Sequence, residues 1–251
     1  MAYSTMQPGL QHALLKHVGY ISWIEINPLH MGKNAVVLSE PVAKQSDRLT
    51  LIRILEQHVD KLTLVQIGEE LAKALFTQGY SVYQIGVERR GGRELSFLTR
   101  PLPKKDEEDV RFFWARREGR LLGFTGFDPI YSCGKIVGYY HNFDRICSEA
   151  VNGTSAFTLL QAIKIFQSEG KEILSLGLSP LSGMEKGYDL AGPLQILSQL
   201  FYKYGEKIYP FKGNAGHKSK FCGKKKKVYV ASNAGWFKTM IAAATACGLE
   251  V

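Results

Sequence analysis

VRFFWARREGRLLGFTGFDPIYSCGKIVGYYHN, residues 110–142, breaks into three apolar runs separated by short turn-forming stretches. Residues 110–116 and 120–127 are rich in aromatic and aliphatic side chains, and Arg117-Glu118-Gly119 between them is a hairpin signal. Residues 136–142 read as a third strand, entered through Gly134. Residues 154–167 then place Leu159, Ala162, Ile163 and Phe166 on one helical stripe, with Thr154 or Ser155 as the cap and Gly170 as the stop. The Ile/Leu-rich segment 173–177 reads as a strand buried on both faces. Further on, residues 190–204 read as a helix stopped by Gly205, and 208–211 and 228–231 as strands. Residues 235–246 read as a helix with Trp236, Met240 and Ile241 on one side. Three antiparallel strands, a helix, a parallel strand, a helix and a final strand pair predict an α/β layer with one face of its sheet covered.

Upstream the pattern is β-α-β-α-β. Residues 9–18 suggest a short helix, and Ala35 to Leu38 form an apolar run stopped by Pro41. Leu49, Ile52, Leu55 and Val59 recur at helical spacing. Residues 62–67 read as a buried strand, 68–78 as a helix with Leu71, Ala74 and Leu75 on one face, and 80–87 as a strand. Gly79 sits where a helix commonly ends in a left-handed residue. The polar break at Arg89–Arg93 divides the chain into an N-terminal lobe, 1–92, and a C-terminal lobe, 93–251.

The 251 residues include 32 Lys+Arg against 23 Asp+Glu, a formal charge of +9, and 45% are hydrophobic, which excludes a wholly disordered chain. No apolar run approaches the roughly 18 residues of a membrane span, and His12, Lys16 and His17 interrupt any secretory core near the start. Cys133, Cys147, Cys222 and Cys247 form no CxxC pair, so neither a zinc site nor a disulfide framework is expected, and no metal. A cytoplasmic globular protein is the expectation. The charge is concentrated: residues 201–240 hold ten lysines and the single acid Glu206, so the rest of the chain sums to zero. Such a block is either a solvated loop or a footprint for phosphates on RNA, a lipid headgroup or a coenzyme. Interleaved Tyr202, Tyr204, Tyr209, Phe211 and Phe221, with Gly205, Gly213, Gly216 and Gly223, favour a ligand-facing role.

In a sheet of this kind the ligand lies at the carboxyl ends of strands, where neighbours diverge and a helix N-terminus points in. Here that is the end of strand 136–142, the segment 143–153 and the loop after Gly177.

The strand order is similar to that of the GNAT acyltransferase superfamily. The run Arg93 to Pro103, Gly123-Phe124 with Phe127-Asp128-Pro129-Ile130-Tyr131, the loop Ser175-Leu176-Gly177-Leu178-Ser179-Pro180-Leu181-Ser182-Gly183, and Tyr209-Pro210-Phe211-Lys212-Gly213 followed by Lys218-Ser219-Lys220-Phe221 resemble the phosphatidylglycerol lysyltransferase C-terminal-domain family. The similarity runs from about Val36 to Ser232. It implies a soluble, stand-alone α/β protein of two GNAT-like lobes in tandem, with mixed central sheets flanked by helices, the N-terminal lobe degenerate and the C-terminal one catalytic. Membrane-bound relatives move an aminoacyl group from tRNA to a phospholipid hydroxyl, and soluble ones attach fatty acyl groups to amines, some on peptide side chains. This chain departs from them in two places. Glu88 runs almost directly into Arg93 where relatives carry a long basic segment, and of the usual coenzyme loop R/Q-x-x-G-x-G/A only Gly153 is present.

Acyl transfer needs an oriented donor, a partner for the developing oxyanion and a route for the acceptor's proton. Backbone N–H groups at the end of strand 136–142 can polarise the donor carbonyl. The helix start Asn152, Gly153 and Thr154 either holds a donor phosphate or is a plain cap. Asp144 and Arg145 form either a structural ion pair or, where the resemblance puts the reaction, part of the catalytic centre. His141, Glu185, Asp189 and His217 are the candidate bases; His217 stands out because neighbouring lysines keep it neutral. Lys212, Lys218 and Lys220 match the family's basic motif and are assigned to the phosphate of the donor or the ribose-phosphate end of a tRNA. Tyr139, His141, Ser179 and Ser182 are assigned to substrate, since no G-x-S-x-G elbow makes either serine a nucleophile. Cys147 reads as a small apolar filler rather than an acyl carrier.

The leading expectation is therefore an N-acyltransferase taking an acyl group from an acyl-CoA or acyl carrier protein thioester to an amine such as a peptide Lys or Orn side chain. An aminoacyl-tRNA donor is the alternative within the same fold. A non-catalytic module docking on RNA or an anionic membrane through Lys224–Lys227 is the alternative outside it.

Overall fold

The computed structural model describes residues 9–27, 32–89, 107–180, 182, 211–235, 238, 239, 241 and 242. Its first sheet begins with a hairpin, β1 (Gln11–Leu15) and β2 (Gly19–Ile26), paired from Gln11↔Trp23 to Leu15↔Gly19. The helix expected over 9–18 is therefore replaced by strand and turn. Gly19 explains part of this: a Cβ there would lie 2.1 Å from the carbonyl oxygen of Val42, because β2 also pairs with β4 (Val42–Ala43). Next come β3 (Asn34–Leu38), α1 (Arg48–Glu56), β5 (Lys61–Ile67), α2 (Glu69–Thr77) and β6 (Ser81–Arg89). β3 and β5 are parallel, with α1 as the crossover between them. Leu51, Ile52 and Leu55 of α1 and Leu71, Ala72 and Leu75 of α2 are buried in one core with Ala35, Val37, Leu62 and Leu64 of β3 and β5. Glu69 and Glu70 in the first turn of α2 suit its dipole, and Gly79 (φ 87°) ends it as expected.

The second sheet contains the expected hairpin, β7 (Arg111–Arg117) and β8 (Arg120–Ser132), then β9 (Lys135–Ile146) and β10 (Ile173–Ser175), in the order β10-β9-β8-β7. One face is covered by α3 (Thr154–Ser168), whose Leu159, Ala162 and Phe166 pack with Phe127 and Tyr139. Two expectations change. β9 continues to Ile146, so Asp144 and Arg145 lie inside a strand rather than beyond its end. The residue preceding α3 is Gly153 at φ 97°, and neither expected cap acts as one: Thr154 Oγ1 donates to the Val151 carbonyl (2.7 Å), and Ser155 Oγ donates to Asp144 (2.7 Å).

The two sheets exchange chain. After pairing in parallel with β9, the segment expected as one strand over 173–177 turns at Gly177 (φ 73°) and becomes β11 (Gly177–Pro180), which pairs with β6 of the first sheet. The last strand, β12 (Lys227–Ser232), lies antiparallel between β5 and β6, giving the order β1-β2-β3-β5-β12-β6-β11. The boundary expected at residues 92/93 is thus crossed twice by strands from the C-terminal part. The strand expected over 208–211 gives way at Phe211 to α4 (Phe211–Ser219), so Gly213 and Gly216 of the basic block sit in a helix, while Gly223 lies in the segment before the last strand and Gly205 outside the described residues. The helix expected over 190–204 and residues 208–210 lie outside the described residues. Of the helix expected over 235–246, residues 238, 239, 241 and 242 are helical, with Ile241 and Ala242 buried; Trp236 and Met240 fall outside the described residues.

Candidate active site

β10 pairs with β9 only at Gly138, Tyr139 and Tyr140, because the chain then leaves for the other sheet. From His141 onward, β9 pairs with β8 on one side and, among the described residues, with no strand on the other, the kind of strand end at which an open α/β sheet binds ligand. A β-bulge sets what faces it. Gly126 pairs with Phe143 but Phe127 pairs with His141, so Asn142 is the extra residue and the pleat changes phase there. His141 and Asp144, three apart in a strand, consequently share the α3 face and meet, with His141 Nε2 3.1 Å from Asp144 Oδ1. Asn142 is held by its own bond, donating from Nδ2 to Asp128 Oδ2 at 2.7 Å.

Two hydroxyls complete the carboxylate's shell. Thr125 Oγ1 of β8 donates to Oδ1 and Ser155 Oγ of α3 to Oδ2, each at 2.7 Å. Burial works to raise the Asp144 pKa, but the charge and hydrogen bond of His141 and the two hydroxyls prevail and hold it at about 2. The carboxylate is ionised at neutral pH and fixes the proton of His141 on Nε2. Nδ1 of His141, in a side chain only 5% exposed, has no hydrogen-bond partner among the described residues.

His217 of α4 belongs to the same neighbourhood. Burial lowers its pKa, Asp144 pulls against this, and His141, Lys220 and Lys218 push the same way as burial, so the ring stays neutral at neutral pH. Its Nε2 is likewise buried without a partner among the described residues, and its ring meets Phe221 edge-on at 5.7 Å. The structure therefore brings together His141, Asp144 and His217 among the residues singled out in the sequence, and adds Thr125 and Ser155. Those two carry no sequence signal of their own, being placed by register and by the first turn of α3.

The remaining candidates are distributed differently. Arg145 points to the opposite face of the sheet, its guanidinium 5.6 Å from the Phe143 ring and bonded to the Asp144 carbonyl (3.1 Å). Tyr139 stacks on Phe166 at 4.2 Å within the core, 3% exposed. Lys218 is 2% exposed and donates to the Leu178 carbonyl (3.2 Å), an inward-turned cation instead of a phosphate ligand on the surface. Lys220 is exposed, and Lys212 lies in the first turn of α4. Asn152 is exposed beside Gly153. Ser182 Oγ donates to the Ser179 carbonyl (3.1 Å), whereas the Ser179 hydroxyl is buried without a partner among the described residues. Cys147 is exposed in the turn after β9 and fills no core position. Glu185 and Asp189 lie outside the described residues. Among the described residues no group of three His, Cys, Asp or Glu side chains is arranged to hold a metal.

The family described as phosphatidylglycerol lysyltransferase, C-terminal, matches residues 86–232, more than half of the sequence. The chain belongs to this family. The fold is shared with the C-terminal domain assigned to a lysylphosphatidylglycerol synthetase from Agrobacterium fabrum, at TM-score 0.64 and 14% identity over 94% of this chain and 88% of that one. It is also shared with L-PGS from Bacillus licheniformis, at TM-score 0.65 and 13% identity over 95% and 88%. No curated protein matches the chain in sequence. The expected α/β, GNAT-like architecture is thus found, in a family of transferases. No helix among the described residues is long and apolar enough to cross a membrane.

Proposed function

We propose that this family member is an acyl transferase in which His141, aligned by Asp144, accepts the proton of a hydroxyl or amine as that group attacks the carbonyl of an activated acyl donor. One observation carries the reading: a half-buried, ionised carboxylate occupies one nitrogen of a buried imidazole and leaves the other without a partner among the described residues. With the proton held on Nε2, Nδ1 presents its lone pair, as a general base requires. The acceptor's O–H or N–H gives its proton to Nδ1, the new acyl bond forms, the bond to the donor's leaving oxygen or sulfur breaks, and the imidazolium returns the proton to that leaving group. His217, neutral and unpartnered on the facing helix, is the second proton carrier at this site.

The family supports an aminoacyl ester of tRNA as donor and a phospholipid hydroxyl as acceptor. The helix start agrees with an ester donor, since the side chains of Thr154 and Ser155 are turned to Val151 and Asp144 instead of outward toward a coenzyme phosphate. The second reading is a thioester donor, acyl-CoA or an acyl carrier protein, with a fatty acyl group passing to an amine such as a peptide side chain. The edge of β9 past Tyr140, which no strand among the described residues pairs, favours it, because an extended donor arm can bond there.

The test offers lysyl-tRNA with phosphatidylglycerol vesicles in one reaction and acyl-CoA with an amine peptide in another, reading products by mass. Product from one pair, falling roughly a hundredfold to ten-thousandfold in kcat for His141→Gln with little change in KM, is the expected result. Wild-type turnover in His141→Gln overturns the assignment.

A further inference from the structure

The face of the second sheet turned away from α3 has a character of its own. Cross-strand register puts Trp114 beside Phe124 and Arg145, and Arg116 beside Leu121, while the alternate residues Phe113, Thr125 and Asp144 face α3. Trp114 and Phe124 rest on each other at 4.8 Å, above a buried Phe143. Toward the hairpin end this apolar surface is open: Trp114 is 55% and Leu121 48% exposed. Arg116, Arg117 and Arg120 around it are all exposed, and the only acid in the turn, Glu118, reaches Arg117 at 3.6 Å. Glu118 (φ 52°) and Gly119 (φ 77°) make a tight turn that keeps the hairpin rigid.

We propose that this face docks on the surface of an anionic lipid bilayer, with Trp114 and Leu121 in the headgroup–acyl boundary and Arg116, Arg117 and Arg120 among the headgroup phosphates. An exposed indole and leucine ringed by three exposed arginines, of which Arg117 has Glu118 beside it, match a boundary that is apolar on one side and negatively charged on the other. Nucleic acid fits the same charge but not the aromatic geometry, since stacking a base needs a free ring face. Here Trp114 and Phe124 are inclined at 39° onto each other. The inference is independent of the reaction proposed above, because Arg145 and Asp144 face opposite sides of the sheet.

The experiment is co-sedimentation of the full chain with phosphatidylcholine vesicles, with and without phosphatidylserine, an anionic lipid that is not the proposed acceptor. The chain is expected to pellet only with the anionic vesicles. At about 5.4-fold per arginine, Arg116→Gln/Arg120→Gln should lower partitioning roughly 30-fold. Trp114→Phe should remove most of the vesicle-induced blue shift in tryptophan emission. Unchanged partitioning of the double arginine variant overturns the proposal. So does binding that is lost on Lys225→Gln/Lys226→Gln but kept in the arginine variant, and so does a Trp114→Ser variant that loses tRNA binding while still pelleting with vesicles.

Discussion

Replacing Asp144 by asparagine keeps the side chain's shape and removes its charge, which separates the carboxylate's two contributions. The first is to stability. The ordinary carboxyl value is 3.8 and the folded value about 2. The difference, at 1.36 kcal/mol per pH unit, is worth about 2 kcal/mol. Because the folded pKa is the lower one, this stabilisation is fully present above pH 4 and is lost as pH falls toward 2. Asp144→Asn should therefore melt roughly 4–8 °C below wild type at neutral pH, at about 2–4 °C per kcal/mol for a chain of this size. The gap should close as both proteins are titrated to about pH 2. The second contribution is to the reaction. An amide facing His141 and two hydroxyl donors must turn its NH2 toward one of them, so the Nε2 tautomer is no longer enforced. In a carboxylate-held imidazole that change costs roughly ten-thousandfold in kcat. The assay is kcat and KM on the productive donor pair, beside urea midpoints from pH 7 to 2. A variant with wild-type kcat, or with a stability deficit that does not depend on pH, refutes the reasoning.

Three further outcomes follow from the geometry. Gly138→Ala places a Cβ 2.0 Å from the Ile173 carbonyl oxygen, so β10 must shift; urea unfolding should show a loss of about 1–3 kcal/mol. Lys218→Met strips the Leu178 carbonyl of a buried donor and should cost about 1–3 kcal/mol, whereas Lys220→Met, exposed on the same side of the chain, should change stability by less than about 0.5 kcal/mol. His217 has a folded pKa below its ordinary 6.5, so the unfolded chain takes up its proton first and stability falls as pH drops through about 6.5. His217→Gln should flatten that part of the urea-midpoint profile between pH 7 and 5.

What the sequence shows most clearly is local. α1, β5, α2 and β6 emerge from Leu49 to Val87 because their apolar spacing switches cleanly between helical and strand periods, and the Arg117-Glu118-Gly119 turn marks its own hairpin. The segment 9–18 misleads because its weak alternation is broken by His12, Lys16 and His17, and what settles it is the backbone of Val42 pressing on Gly19, thirty positions from the start of the run. The exchange at Gly177 is hidden in I-L-S-L-G-L-S-P, an apolar series that reads the same as one strand or two; only the positive φ of the glycine separates them. α4 is disguised by Gly213, Gly216 and its lysines, poor helix formers without an apolar stripe. At the site, His141, Asp144 and His217 were visible as residue types, but their meeting depends on one extra residue in β9. No local pattern announces that bulge, which also turns Arg145 away from its neighbour.

The placement of β12 has a consequence for how the molecule is made. Its pairing with β5 is sealed by Asn233, whose Oδ1 takes the Leu62 amide hydrogen across 171 positions of chain, and by Ser232 on the Leu62 carbonyl. At a ribosomal pace of about 5–20 residues per second, β5 and β6 leave the ribosome roughly seven to thirty seconds before the strand that belongs between them. For that interval two hydrophobic strands present unfilled edges to solvent or to the same edges on a neighbouring nascent chain. A fragment ending before Lys227 carries the same gap permanently, so chaperone capture during translation and insolubility of such fragments are to be expected of this topology.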